Sequence, residues 1–320
     1  MADALHRLGL GTSPLGNLYA EVTDREARAV LDAAWESGVR IFDTAPHYGL
    51  GLAERRLGAA LKDRPRDEFV LSTKVGRLLV PDPSGEGRLD DDGFAVPARW
   101  RREWDFSADG VRRSLESSLE RLGLDRVDVV YLHDPDDHWE QAFGEALPAL
   151  AELREQGVVG AIGAGMNQWQ MLARFARESS VDVILLAGRY TLLEQPALAE
   201  LLPLCASRGV DVLAAGLFNS GLLARQDVPD DATYDYRTAP VDVVGRARRI
   251  AAVCARHGTT LPAAALWFPF GHPAVTGALI GARTEAELRA NVDAFAAPPP
   301  PGLWADLRDE GLLDAGTPTP

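Results

Sequence analysis

Apolar residues in this chain gather in short unbroken runs, and between the runs they recur at three- and four-residue spacing. Eight runs stand out: "LGLGT" (Leu8–Thr12), "VRIFD" (Val39–Asp43), "FVLSTK" (Phe69–Lys74), "VDVVYLH" (Val127–His133), "VVGAIGAG" (Val158–Gly165), "VDVILL" (Val181–Leu186), "VDVLAA" (Val210–Ala215) and "VTGALIG" (Val275–Gly281). They are near-continuous rather than alternating, as parallel strands buried on both faces are. Helical patterns fill the gaps. Thr23 and Glu26 form a Thr-x-x-Glu capping box ahead of Ala27, Val30, Leu31 and Ala34, and Gly38 ends the segment. Val111, Leu115, Leu119 and Leu122 repeat the spacing before Gly123, as do Leu147, Leu150 and Leu153 before Gly157. Eight strand–helix units predict an α/β fold, a (β/α)8 TIM barrel, with residues 1–320 as a single domain. A doubly wound open sheet is the competing arrangement. It wants a Gly-x-Gly-x-x-Gly turn after an early strand, and no early strand has one.

Two segments break the rhythm. Residues 76–107, after the third strand, are rich in Gly, Pro, Asp and Arg, with Trp100, Trp104 and Phe106 near the end. So long a loop leaving the barrel beside a strand end is expected to cover a substrate pocket. Residues 298–320 hold a proline spacer, "PPPP", and a tail. The amphipathic "LWADLRDEGLL" is expected to dock, and the final "GTPTP" to be disordered.

Charge narrows the function. A net charge of −14 and a pI near 4.9 argue against nucleic-acid binding, which needs clustered cations against phosphate. The two cysteines, Cys205 and Cys254, lie outside any metal-ligand spacing and read as small buried residues, so no metal site is expected. No apolar run approaches 18 residues, and the start has no basic patch before an apolar stretch. No membrane partner and a cytoplasmic location are the expectation.

In such barrels chemistry sits where the strands end. The second strand ends in Asp43, with Tyr48 five residues on; the third ends in Lys74 and the fourth in His133. A tyrosine hydroxyl is a weak acid, with an ordinary pKa near 10. An ammonium beside it favours the phenolate, a carboxylate holds that ammonium, and a histidine orients a substrate oxygen. Singly, the aspartate reads equally well as a turn residue and the histidine as a satisfied polar group. As an ordered set they form a proton-transfer group acting on an alcohol or carbonyl oxygen. His47 either lines the substrate pocket or completes the turn, and Asn167, after the fifth strand, is also a good helix N-cap.

"FDTAPHYG", "STK" and "YLHDPD", with "GLGT" near the start and "IGARTEAELRANV" near the end, resemble the signature segments of the aldo-keto reductase superfamily. The resemblance spans nearly the whole chain. It implies a (β/α)8 barrel that binds NAD or NADP without a Rossmann domain. It further implies Tyr48 as catalytic acid/base, Lys74 and Asp43 as its tuning pair, and His133 as the group that orients the substrate. "AERRLGAAL", "LAGRYTLLEQ" and "FNSGLL" resemble the L-fucose/D-threo-aldose 1-dehydrogenase branch, which oxidises the anomeric hydroxyl of aldoses to lactones. The implied cofactor contacts are Gly11, Thr12, Asp43, Asn167, Leu217, Asn219, Ser220, Gly221, Gly281, Arg283, Glu287 and Asn291. The implied substrate contacts are His47, Trp104 and His133.

One departure stands out. Better-known members carry a glutamine and an aromatic residue at the ends of the sixth and seventh strands. Here Ala187 and Ala215 occupy those places, which leaves Arg189, Tyr190 or Phe218 to contribute. Glu287, standing where NADP users of the superfamily place a cation, favours NAD. Thr284-x-x-Glu287 is also a capping box, and Arg283 with Arg289 could fork a phosphate. The partner is then a small molecule, a sugar or other small alcohol or carbonyl. The alternatives are an NADPH-dependent aldehyde or ketone reductase, and a cofactor-sensing regulatory subunit. Oligomeric state is not legible here.

Overall fold

The computed structural model describes residues 7–320. Its strands are β1 (Leu8–Gly11), β2 (Ile41–Asp43), β3 (Val70–Val75), β4 (Arg77–Pro81), β5 (Trp100–Trp104), β6 (Val127–His133), β7 (Val159–Met166), β8 (Val183–Ala187), β9 (Asp211–Ala215), β10 (Thr233–Tyr234), β11 (Arg237–Thr238) and β12 (Val275–Ile280). Eight of them close a barrel in the order β1-β12-β9-β8-β7-β6-β3-β2, every neighbouring pair parallel. Each expected strand has its counterpart, with ends shifted by no more than two residues. The whole is a single (β/α)8 barrel.

The barrel interior is filled by Tyr131, Leu185, Leu213 and Leu279, with Ile41, Val129 and Val183 against them. The outer faces of the strands bury a larger core under the helices. The helix Asp24–Glu36 buries Ala27, Val30, Leu31 and Ala34 on one stripe, and its capping box forms as the sequence predicts. Glu26 N–H donates to Thr23 Oγ1 at 3.2 Å and Thr23 N–H to Glu26 Oε2 at 2.8 Å.

Residues 76–107 are more ordered than a loop. β4 and β5 pair antiparallel from Arg77 opposite Trp104 to Pro81 opposite Trp100. The tip folds back, so that Phe94 and Val96 form a small apolar cluster with Leu50, against which Leu18, Tyr48 and Leu52 pack. The hairpin is thereby tied to the turn that carries Tyr48.

The C-terminal tail corrects an expectation. The helix Gly302–Asp309 docks through Leu303, Trp304 and Leu307, as its amphipathic pattern implies. The last residues dock too. Arg308 donates to Thr317 O at 2.9 Å and to Thr319 Oγ1 at 2.7 Å, and Thr317 is buried. Two threonines in "GTPTP" give a guanidinium two acceptors, a satisfaction that composition alone does not reveal.

Candidate active site

Register builds the centre of the site. Asp43 pairs with Ser72 across β2 and β3, and Lys74 lies two residues beyond Ser72, on the same face of the strand. Ser72 Oγ donates to Asp43 Oδ1 at 2.7 Å and Lys74 Nζ to Asp43 Oδ2 at 2.6 Å. Both carboxylate oxygens are therefore held by alternate residues of one strand. Lys74 also donates to Thr44 O at 2.9 Å. The ion pair is 2–3% exposed. Burial alone would push the Lys74 ammonium down, but the charges of Asp43 and Tyr48 outweigh it, and its pKa rises.

Tyr48 comes from the tight turn after β2. Gly49, at φ +62°, lies so close to Gly16 that a Cβ would meet Gly16 O at 2.2 Å. Only glycine lets the chain turn there, and the turn sets Tyr48 over Lys74, with Nζ 4.7 Å from the ring centre. Burial pushes the Tyr48 phenol up to about 12, and Lys74 works against that rise. His133 closes the far side, its ring 5.9 Å from that of Tyr48 and 5.5 Å from that of His47. Burial, followed by the nearby Arg77 and Lys74 charges, holds His133 well below the ordinary histidine range, so it stays neutral. His47 is pushed down to about 2 by burial and by Arg77 and Arg102. The three strand-end residues and Tyr48 thus meet at one place. Together they can take a proton from, or give one to, an oxygen above Tyr48 while a neutral imidazole holds that oxygen.

Above them opens a cavity of about 560 Å³. Its floor and one wall carry Gly11, Gly165, Asn167, Ala187, Ala215 and Gly281; the other wall carries His47, Phe94, His133 and Asp134. Asn167 does not cap the following helix, whose N-cap is Gln168. Its amide crosses instead to Ala187 O at 2.9 Å, at the end of β8. Thr12 donates to Asp43 O at 2.9 Å. Leu217 is buried in the core, so its side chain is structural; Asn219, Ser220 and Gly221 turn in succession through positive φ. Asn219 Nδ2 and Tyr234 OH both donate to Glu194, at 2.9 and 3.0 Å, which fastens this turn to the β10–β11 hairpin. Arg283 and Glu287 are exposed at the rim and Asn291 is half-buried. Glu287 Oε2 accepts from the backbone of Arg283 at 2.8 Å, not from Thr284.

Of the residues suggested for the nicotinamide in place of the two alanines, Tyr190 packs away in the core against Phe268. Arg189 pairs with Asp235, and Phe218 packs against the core. None of them is among the residues lining the cavity.

Trp104 also departs from expectation. It is 45% exposed and does not line the cavity; it stacks with Phe106 and lies over the Arg77 guanidinium at 4.4 Å. On a strand, successive side chains face opposite ways, and this one faces the outside of the hairpin. The hairpin tip contributes Phe94 and Asp92 to the cavity instead. Arg77 reaches His47 at 3.3 Å and pairs with Asp134. Tyr19 and Tyr236 flank the opening, both exposed and both at φ +64°. The sequence reading passed over Asp134, although it stands in the quoted "YLHDPD". Arg77, the third residue after the "STK" strand end, carried no signal of its own.

The sequence profile of the Aldo/keto reductase family matches residues 7–308. This chain belongs to the aldo-keto reductase family. It is 49% identical to a D-threo-aldose 1-dehydrogenase of Pseudomonas sp over 99% of this chain and 96% of that one. It is 40% identical to a pyridoxal 4-dehydrogenase of Microbacterium luteolum, over 96% and 94%. Its fold is similar to that of the solved aldo-keto reductase AKR11C1 from Bacillus halodurans in its holo form, with a TM-score of 0.75 and 26% identity over 97% of this chain and 93% of that one. The protein is thus an oxidoreductase of the aldo-keto reductase family, whose members use nicotinamide cofactors. The cavity fits such a group. Ala187, Ala215 and Gly216 put almost no side chain on the cavity wall across the barrel from Lys74 and Tyr48, and Asn219 Oδ1 is buried without a partner. No helix among the described residues is long and apolar enough to cross a membrane.

Proposed function

We propose that this aldo-keto reductase oxidises the anomeric hydroxyl of an aldose to a lactone, with NAD as hydride acceptor. The observation that carries the reading is the buried Asp43–Lys74 pair under Tyr48, facing neutral His133 across a cavity with a polar wall. The 49% identity to a D-threo-aldose 1-dehydrogenase supports the substrate class. Tyr48 takes the hydroxyl proton and is the catalytic residue of the step. Lys74 stabilises its phenolate, and Asp43 with Ser72 fixes Lys74. His133 Nε2 holds the reacting oxygen. Gly11, Asn167, Asn219, Ser220, Gly221, Gly281 and Asn291 would hold the cofactor. When bound, it supplies the acceptor for the hydride that leaves the anomeric carbon. The test is steady-state turnover of the purified protein over a panel of aldoses with NAD. Sustained NADH formation is expected, and its absence with every aldose would overturn the reading.

Preference for NAD rests on Glu287. One of its oxygens is held by the Arg283 backbone. The other is available to a ribose hydroxyl, and the carboxylate would repel a 2′-phosphate. Wild-type kcat/KM should favour NAD, and Glu287→Arg should move the ratio toward NADP. A tenfold wild-type preference for NADP would reject this and point to the exposed Arg283 as a phosphate-binding group.

A further inference from the structure

The geometry points to Asp134 as the residue that recognises the hydroxyl next to the reacting one, making the site selective for vicinal diols over simple alcohols. This rests on the aldose reading above, and it concerns a residue that the proton-transfer group does not include.

Asp134 follows β6 immediately after His133, and its carboxylate lines the cavity. It stands at φ +45°, in the left-handed region that a non-glycine residue adopts only when its surroundings hold it there. Its N–H donates to Gly165 O at 3.1 Å, at the end of the next strand. The backbone is therefore fixed, and the side chain is turned toward the cavity instead of continuing the strand.

Arg77 then fixes the carboxylate. It donates to Oδ2 through one terminal nitrogen and contacts His47 through the other. Arg77 is 13% exposed, whereas the Asp134 side chain keeps 30% of its surface open. Oδ1 takes no hydrogen bond from any of the described residues, and Oδ2 has a second lone pair to offer. The carboxylate is held, acceptor-only, and free on the cavity side.

Its distance from the reacting centre selects the hydroxyl. His133 Nε2 and Asp134 Oδ2 are 3.7 Å apart. Neighbouring oxygens on a sugar ring can reach two groups so spaced at once. With the reacting oxygen on His133, the next hydroxyl falls to Asp134 and donates to it. A substrate lacking that hydroxyl leaves a desolvated carboxylate oxygen without its donor, which is what makes such sites discriminate. The competing role for Asp134 is to hold Arg77, and that role carries no discrimination between sugars.

The experiment compares an aldose that the wild type turns over with its 2-deoxy counterpart, in wild type, Asp134→Asn and Arg77→Lys. Wild type should favour the hydroxylated sugar by about ten- to a hundredfold in kcat/KM, the range expected for a hydrogen bond to a charged group. Asp134→Asn keeps the shape and loses the charge, and should narrow that ratio at least fivefold. Arg77→Lys, which frees the carboxylate to move, should narrow it less. A ratio equal in wild type and Asp134→Asn, with both proteins folded by circular dichroism, overturns the proposal and leaves Asp134 as a support for Arg77. A wild type indifferent to the 2-hydroxyl overturns it as well. Calorimetric titration of the NADH-loaded protein, which has no hydride acceptor, with both sugars reads the same ratio without turnover. A wild type that binds aldoses and does not oxidise them therefore rejects the proposed reaction while still deciding the role of Asp134.

Discussion

Lys74 and Arg77 lie three residues apart, and each holds an aspartate at the barrel mouth by a different kind of structure. Lys74 sits on β3. Its aspartate comes from the neighbouring strand, and the register of the barrel brings the two together. Arg77 begins the β4–β5 hairpin. Its aspartate follows β6, its histidine comes from the turn after β2, and a tryptophan covers it from β5. The first pair is 2–3% exposed; in the second, Asp134 is 30% exposed toward the cavity. Partners set by register belong to the machinery a barrel can hold rigid. Partners gathered from loops can vary while the barrel stays the same, which suits the part of a site that reads the substrate.

The largest effect should come from the rigid half. Tyr48→Phe keeps the ring that packs beside Phe94 and removes the hydroxyl, so folding and cofactor binding should persist while kcat falls roughly 10²–10⁴-fold. Near-normal turnover in this variant, with cofactor affinity unchanged by fluorescence titration, would place proton transfer elsewhere.

Lys74→Met tests the same half through stability. It leaves Asp43 with Ser72 but without its cation, in a site where the pair is only 2–3% exposed. Breaking a buried pair from one side costs about 3–5 kcal/mol, enough to lower the thermal midpoint by many degrees. Arg77→Met, whose aspartate remains partly open to solvent, should cost clearly less. Equal losses in the two variants would erase the distinction between the pairs.

The contrast between the halves is also a contrast in what the sequence reveals. The eight strands, their order and the meeting of Asp43, Lys74 and His133 are legible because strand ends in a parallel barrel share one rim. An apolar run that closes in a polar residue announces its place. The N-cap reading of Asn167 does not hold because it rests on local spacing alone, whereas the Asn167 amide crosses to the end of β8. Trp104 was misjudged because an aromatic residue near the site does not declare which face of its strand it occupies. Arg77 and Asp134 were missed since their pairing depends on a hairpin that folds back onto the barrel. Composition recorded residues 76–107 only as a loop.

pH gives a third, smaller effect. With its pKa raised to about 12 by burial, Tyr48 is protonated at neutral pH, and the form that accepts a substrate proton is the minor one. Below that pKa each unit of pH increases the phenolate fraction about tenfold. Sugar oxidation should therefore rise between pH 7 and 9, and carbonyl reduction, which needs the phenol, should not. His133 and His47, both held neutral by burial, do not titrate in that window, so the rise belongs to Tyr48. An oxidation profile that is flat over this range, with cofactor and sugar saturating, would mean that proton transfer to Tyr48 does not limit the rate.

The smallest effect concerns the outer edge of the substrate-reading half. Trp104 does not line the cavity; it covers Arg77, which in turn holds Asp134 and His47. A cation over an exposed indole is worth roughly 0.5–1 kcal/mol. The Asp134 partner and the His47 contact of Arg77 would remain after its removal. Trp104→Ala should therefore raise the aldose KM only about two- to fivefold, the same energy expressed as affinity, and leave kcat within about twofold. Trp104→Phe, which keeps an aromatic face over the guanidinium, should recover most of the loss. A rise of twentyfold or more in Trp104→Ala that Trp104→Phe fails to restore would mean that the indole itself reaches the sugar. The hairpin would then bind substrate through its outer face as well as through Phe94 at its tip, and the division between a rigid half and a reading half would have to move outward by one residue layer.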